Sequence, residues 1–319
     1  MTGLSVPRGA ALHGGAADAD GIRLQEVADG VFAHVQDPGG WCLSNAGVVL
    51  GGGESLLVDT AATERRARRL RAALTGLTAV PPRLLVLTHF HGDHVFGAGV
   101  AAPEAALVAH ENARREMAEA GLGLTGLWPA VDWGRVEVRL PHLTYRDRLT
   151  VHVGERPVEL LHFGPAHTTG DTLVWLPEDG VLFAGDVLLS GCTPFLLMGS
   201  VRGTLRTLDR LRELAPRTVV PGHGPVAGPE LLDETAAYLE WLLSIAETGL
   251  AAGLSPLETA RDAGPGPFPH WLDGERVVGN LHRAFAELTG AAEGAALDVV
   301  RIFGEMVEHN GGRLPECYA

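Results

Sequence analysis

Four metal-ligating side chains fall within the segment LLVLTHFHGDH: His89, His91, Asp93 and His94, in the pattern H-x-H-x-D-H. Imidazole and carboxylate donors without thiolate suit a catalytic zinc site better than a structural one. The chemistry such a set supports is hydrolysis, because a bound metal lowers the pKa of water to about 7 and polarises an acyl carbonyl. The apolar run Leu84 to Leu87 reads as a short buried strand. Beyond it alternate residues share a direction, so His89 and His91 can face one metal while Asp93 and His94 face a second. Gly92 is read as supplying the tight backbone between them. The competing reading is a chance cluster in a solvated loop, since the chain has 14 histidines. The position directly after a buried strand speaks against it.

Further ligands follow the same construction downstream. His167 stands in FGPAHTTGD after the strand-like VELLHF, Asp186 ends VLFAGD, and His223 ends TVVPGH. Upstream, Leu56-Leu57-Val58-Asp59-Thr60 is another apolar run closing on a carboxylate. Each run is expected to deliver one side chain to a glycine-containing turn, so that all converge on one edge of a sheet.

These blocks, in this order, resemble the metallo-β-lactamase-fold hydrolases, over roughly residues 21–226. The resemblance implies an α/β fold, an αββα sandwich of two sheets between helices. It implies that His89, His91 and His167 hold one metal, that Asp93, His94 and His223 hold the other, and that Asp186 bridges them. The metals implied are two Zn²⁺, with iron or manganese not excluded. Asp93 then doubles as a catalytic residue that receives or orients the proton of the attacking water. Asp59 lies outside the ligand set and is expected to orient a ligand; as a turn or helix N-cap residue it reads equally well. Zinc β-lactamases of the best-known type carry cysteine where this chain has Asp186, and the diiron branch replaces the histidine at His91 with a carboxylate. The iron dioxygenases use fewer ligands. The glyoxalase II-like, lactonase and thioesterase branches keep the full set.

Composition bounds the rest. The chain has 319 residues, 46% of them hydrophobic, enough for one large core or a core plus an appendage. A formal net charge of −14 argues against a nucleic-acid binder. All 25 basic residues are arginine, which excludes a P-loop lysine and Schiff-base chemistry. Cys42, Cys192 and Cys317 are odd in number and without C-x-x-C spacing, so reduced thiols and a cytoplasmic enzyme are expected. No membrane-spanning run is present.

Three parts are expected along the chain: a disordered tail over residues 1–20, a catalytic domain over 21–227 and a helical extension over 228–319. Thr63 to Leu74 reads as a helix with a capping-box-like start, and Ser255-Pro256-Leu257-Glu258 as a helix start with N-cap, Pro and Glu. Asp37-Pro38-Gly39-Gly40-Trp41 is a turn that places Trp41 at a loop tip. GLGLTGLWPAVDWG carries Trp128 and Trp133 in a Gly/Pro-broken loop, and LLSGCTPFLLMGSV, directly after Asp186, carries Phe195 and Met198. These five side chains are the candidate substrate pocket, implying a large apolar or aromatic acyl group; core packing is the competing reading. The C-terminal helices are read as roofing the site or building a homodimer.

The stretches VQDPGGWCLSNAG, THFHGDH, WPAVDWG, GPAHTTGD, FAGDVLLSGCTPFLLMGS and NLHRAF look more closely like the second-ring cyclase/thioesterases of bacterial aromatic polyketide pathways. That resemblance implies a poly-β-ketone thioester on an acyl carrier protein, closed by aldol condensation and released as the acid. Arg65, Arg68 and Arg69, at helical spacing, are a candidate docking face for an acidic carrier; a solvated helix face is the plainer reading. The rivals are a glyoxalase II-like hydrolase of a small thioester and a lactonase. A glutathione site needs cations near the C-terminal helices, where Arg261, Arg276, Arg283, Arg301 and Arg313 are available. A non-enzymatic metal-binding scaffold is disfavoured because no ligand has been lost.

Overall fold

Short β-rich segments joined by tight turns dominate the first half of the chain, and the computed structural model, which describes residues 17–18 and 20–319, pairs them into two sheets. The first sheet has seven strands in chain order: β1 (Ile22–Ala28), β2 (Val31–Gln36), β3 (Ala46–Gly51), β4 (Glu54–Val58), β5 (Leu84–Val86), β6 (Ala106–His110) and β7 (Leu143–Tyr145). β1 to β4 are antiparallel, while β4 to β7 run parallel. Parallel pairing needs crossovers, supplied by α1 (Glu64–Leu77) and then by α2 (Gly92–Val95) and α3 (Ala98–Ala101). α4 (Glu111–Ala120) follows β6.

The second sheet holds β8 (Arg148–Val153), β9 (Arg156–Leu161), β10 (Leu173–Leu176), β11 (Val181–Leu189) and β12 (Thr218–His223), ordered 12-11-10-9-8. Only β11 and β12 pair in parallel, across α5 (Val201–Leu214). Val31, Val35, Val49 and Leu56 of the first sheet meet Val158, Leu160, Val174 and Phe183 of the second in the inter-sheet core. A second core fills the space between the first sheet and α1 to α4, and a third lies on the outer face of the second sheet. The result is the αββα sandwich, each sheet buried on one face by the other sheet and on the other by helices.

The C-terminal residues form α6 (Glu230–Ala252), α7 (Pro256–Ala263), α8 (Arg276–Leu288) and α9 (Val299–His309). Their buried side chains, among them Leu239, Leu242, Leu281 and Phe303, share one cluster with Trp175, Leu182 and Leu188 of the second sheet. The helices therefore extend the sandwich's own core. Ser255 caps α7 in a full capping box with Glu258. At α1, Thr63 accepts from Arg66 N, but arginine in that position cannot return the bond, so the capping box expected there is a simple N-cap. The disordered tail expected over residues 1–20 lies outside the described residues except for Ala17, Asp18 and Asp20, and Asp20 pairs with Arg65 and Arg69. No helix among the described residues is long and apolar enough to cross a membrane.

Candidate metal centre

The strand ends bring the expected ligands to one edge of the sandwich in two clusters. His89, His91, His167 and Asp186 form one; Asp93, His94 and His223 form the other; within each, the ligand atoms lie within 4.8 Å of one another. Asp186 stands between them: its Oδ2 is 3.5 Å from His167 Nε2 and 3.4 Å from His223 Nε2, and its Oδ1 is 3.1 Å from His94 Nε2. Asp93 Oδ2 lies 3.1 Å from His223 Nε2.

Local structure explains the placement. His89 follows β5 in a bend, His91 is in extended backbone as the N-cap of α2, and Asp93 and His94 turn into α2. His167 sits in the loop between β9 and β10, and His223 is the last residue of β12. Asp186 departs from the expected pattern: β11 runs past it to Leu189, and an irregular pairing with β12 between Gly185 and Leu189 re-aims the side chain. Gly222 makes room for it, since a Cβ there would stand 1.9 Å from Asp186 Oδ1. Gly92 serves differently from expectation. Its φ is not positive; a Cβ would instead collide with the Phe96 ring at 2.3 Å, so packing requires the glycine.

The Nδ1 atoms of His94, His223 and His167, turned away from the centre, are anchored, the arrangement that fixes tautomer and orientation in metal sites. Asp59 Oδ2 is 2.8 Å from His94 Nδ1, and the same carboxylate accepts from Thr88 N at 2.7 Å and Thr88 Oγ1 at 2.6 Å. Asp59 is thus neither a ligand nor a helix cap, because Thr63 caps α1. Its φ of +56° lies in the left-handed region that Asp tolerates better than most residues. His223 Nδ1 faces the carbonyls of Gly39 and Gly40 at 3.1 and 3.2 Å, and His167 Nδ1 donates to Phe195 O. Asp171, quoted in the motif but not singled out from sequence, accepts from Ala166 N, Thr168 N and Thr168 Oγ1, and so holds the loop that carries His167. The T-x-x-D spacing was the available signal, since such residues bond their local backbone.

Electrostatics divides the centre. Burial pushes His89 well below the usual imidazole range, His91 down to about 3 and His167 down to about 4, leaving neutral lone pairs. Burial also opposes charge on His94 and His223, but the carboxylates outweigh it. Asp186, Asp59 and Asp93 raise His94 well above its ordinary value, and Asp186 and Asp93 raise His223 to about 9. Against their own burial, His94 and His223 hold Asp93 down to about 2, and His223, His94 and His167 hold Asp186 well below the carboxylate range.

The residues fit a metal. Among the described residues, Nε2 of His89 and His94 and Oδ1 of Asp186 are buried without a hydrogen-bond partner, His94 Nε2 approaching Asp186 Oδ1 without the alignment of a bond, while His91 Nδ1 and His167 Nε2 face each other at 2.8 Å. Such orphaned groups cost about 1–3 kcal/mol each, and divalent cations held by the two clusters would satisfy them.

The family model described as "Metallo-beta-lactamase superfamily" matches residues 39–223. The chain belongs to the metallo-β-lactamase superfamily. Within it, a hydroxyacylglutathione hydrolase of Anaeromyxobacter dehalogenans is 32% identical over 252 residues, covering 76% of this chain and 82% of that protein. A type 2 metallo-β-lactamase of Bacteroides fragilis is 26% identical over 227 residues, covering 68% of this chain and 85% of that protein. Among solved structures, a metallo-β-lactamase from Erythrobacter litoralis shares the fold with a TM-score of 0.56 at 23% identity, over 69% of this chain and 96% of that one.

A cleft adjoins the centre. It is lined by Asp93, Asp186 and His223 below. Trp41, Trp128, Trp133, Phe195 and Met198 all stand on its walls, joined by Leu127, Phe96, Val299, Phe303 and Arg276, which sequence reasoning did not single out for the pocket. Trp41 packs against Trp128 at 5.4 Å and edge-on to Phe195 at 5.2 Å, with Phe303 edge-on to Trp128 at 5.6 Å. Trp128 Nε1 donates to Pro315 O and Trp41 O accepts from Tyr318 N, so the chain's last residues brace both tryptophans. Cys42 and Cys317, distant in sequence, are neighbours there as free thiols, and each perturbs the other's titration. The three arginines of the candidate docking face already have partners: Arg65 and Arg69 bridge Asp20, and Arg68 pairs with Glu64.

Proposed function

We propose that the chain is a dinuclear zinc thioesterase and cyclase whose substrate is a bulky poly-β-ketone held as a thioester on an acyl carrier protein. The observation that carries this reading is the aromatic cleft directly above the centre, built from Trp41, Trp128, Trp133 and Phe195. Such walls take a large, flat, apolar acyl group and offer little to a polar tripeptide.

His89, His91 and His167 would hold one metal and Asp93, His94 and His223 the other, with Asp186 between them. Bound there, the metals supply an activated water near neutral pH and polarise the thioester carbonyl. The chain's own residues do the rest. The tryptophan walls hold the acyl group with its thioester toward the centre and exclude bulk water. Asp93, with 15% of its side chain exposed, is the ligand carboxylate placed to accept a proton from the attacking water. Asp59 keeps His94 oriented through Nδ1.

A second reading, hydrolysis of an acylglutathione, draws support from the 32% identical hydroxyacylglutathione hydrolase. Against it, three of the five cations expected for glutathione are engaged: Arg261 pairs with Glu308, Arg301 with Glu305, and Arg283 is buried on the Leu197 and Ala295 carbonyls. The deciding assay offers zinc-reconstituted protein an aromatic acyl thioester, an acylglutathione, a lactone and a β-lactam. Preference for the aromatic thioester by tens- to hundreds-fold, roughly the range of apolar-pocket selectivity, is expected; best turnover of the acylglutathione would overturn the reading.

A further inference from the structure

Arg276 opens α8 and is only 2% exposed, yet among the described residues it is the one arginine lining the cleft above the metal centre. Its guanidinium lies 4.0 Å over the ring of Trp41. Nη1 donates to Thr193 O at 2.9 Å, and Nη2 pairs with Asp273 Oδ2 at 2.9 Å. Nε is buried without a hydrogen-bond partner among the described residues. A guanidinium cannot shed its proton to escape that cost, and proteins seldom leave a buried donor unmatched. The side chain is also rigid. Thr193 and Asp273 fix its end, and Glu275 Oε1 accepts from Trp41 Nε1 at 2.7 Å, so ring and guanidinium form one clamp.

The geometry points to Arg276 as a specificity-determining residue, its Nε–H donating to a ketone oxygen of the acyl chain and favouring β-ketoacyl over plain acyl thioesters. This rests on the thioesterase reading above and names which thioester. Asp273 already balances the guanidinium charge, and Glu275 adds a second carboxyl nearby. A carboxylate ligand would meet those groups unfavourably, whereas an uncharged ketone needs only the free N–H. The Trp41 face alongside holds the rest of the chain by stacking.

The test compares two N-acetylcysteamine thioesters ending in the same phenyl ring, one β-ketoacyl and one saturated, on zinc-loaded wild type and Arg276→Met. The substitution should cut kcat/KM for the β-ketoacyl substrate roughly 10- to 100-fold more than for the saturated one, mainly through KM. Equal losses on both substrates would overturn the assignment. Because Arg276 also ties α8 to the Thr193 loop, a second measurement uses unaltered protein. The two matching amides, with NH in place of sulfur, are titrated by tryptophan fluorescence and by NMR of arginine Nε–H groups. Tighter binding of the keto amide with a shifted Arg276 Nε–H resonance is expected; equal affinity and an unmoved resonance would overturn it. Should acylglutathione prove the best substrate while the keto amide still binds tighter through Arg276, the polyketide reading falls and the residue's role stands.

Discussion

Replacing Asp59 tests whether a residue that touches no metal controls the centre. Its carboxylate serves three buried donors at once: Thr88 N, Thr88 Oγ1 and His94 Nδ1, at 2.7, 2.6 and 2.8 Å. Asp59→Ala strands all three and puts alanine at φ +56°. Each stranded donor costs about 1–3 kcal/mol, and the left-handed backbone adds about 1 kcal/mol. Since the donors share one acceptor the effects overlap, and a loss of roughly 3–5 kcal/mol is expected, a large part of a typical stability of about 5–15 kcal/mol. Asp59→Asn is the informative companion: asparagine tolerates the same backbone and keeps an acceptor oxygen, but its NH₂ confronts one of the donors. Zinc affinity at the site of Asp93, His94 and His223 should fall about 10- to 100-fold in Asp59→Asn, equivalent to about 1.4–2.8 kcal/mol. Zinc competition against a chromophoric chelator reads the affinity, and thermal melts followed by circular dichroism read the fold. An Asp59→Asn protein that binds zinc as tightly as wild type would show that His94 is oriented without this carboxylate.

Wild-type protein should carry two zinc ions per chain by elemental analysis and Asp186→Asn fewer, with turnover lost; full activity with one metal in that variant would refute the shared-ligand arrangement. Asp171→Ala should lower the melting temperature and weaken zinc binding where His167 contributes, because Ala166 N, Thr168 N and Thr168 Oγ1 lose their acceptor; an unchanged zinc titration would count against it. His34 has no solvent exposure, both ring nitrogens lack partners among the described residues, and burial lowers its pKa to about 4. The unfolded state, near 6.5, then binds the extra proton between those values, so stability should drop as pH falls from about 6.5 to 4, by up to roughly 3 kcal/mol. His34→Leu should flatten that part of the urea-unfolding pH profile, and an unaltered slope would assign it elsewhere. For the carrier, charge reversal at Arg65 and Arg69 should raise KM for a carrier-bound substrate and leave a free thioester unaffected; their pairing with Asp20 makes the predicted effect modest, and equal effects on both substrates would remove that docking face.

The ligand blocks were legible in the sequence because their chemistry is local. His89, His91, Asp93 and His94 lie within one strand-to-helix turn, and short apolar runs before His167, Asp186 and His223 already announce strands. The same runs indicated the sandwich, since alternating apolar strands and amphipathic helices bury their faces in few ways. What a one-dimensional reading could not supply were contacts between distant residues. Asp186 looked like a strand-end carboxylate, and only the irregular pairing of β11 with β12 shows how it is aimed from inside a strand. Asp59 was ambiguous until the fold put His94 and Thr88 against it. Arg276 resembled any cation at the start of an amphipathic helix; its stacking on Trp41, 235 positions away in the chain, exists only because the C-terminal helices share a core with the second sheet. Strand spacing set which side chains can ligate, and tertiary packing decided which of them are oriented, shielded and left with an unmatched donor.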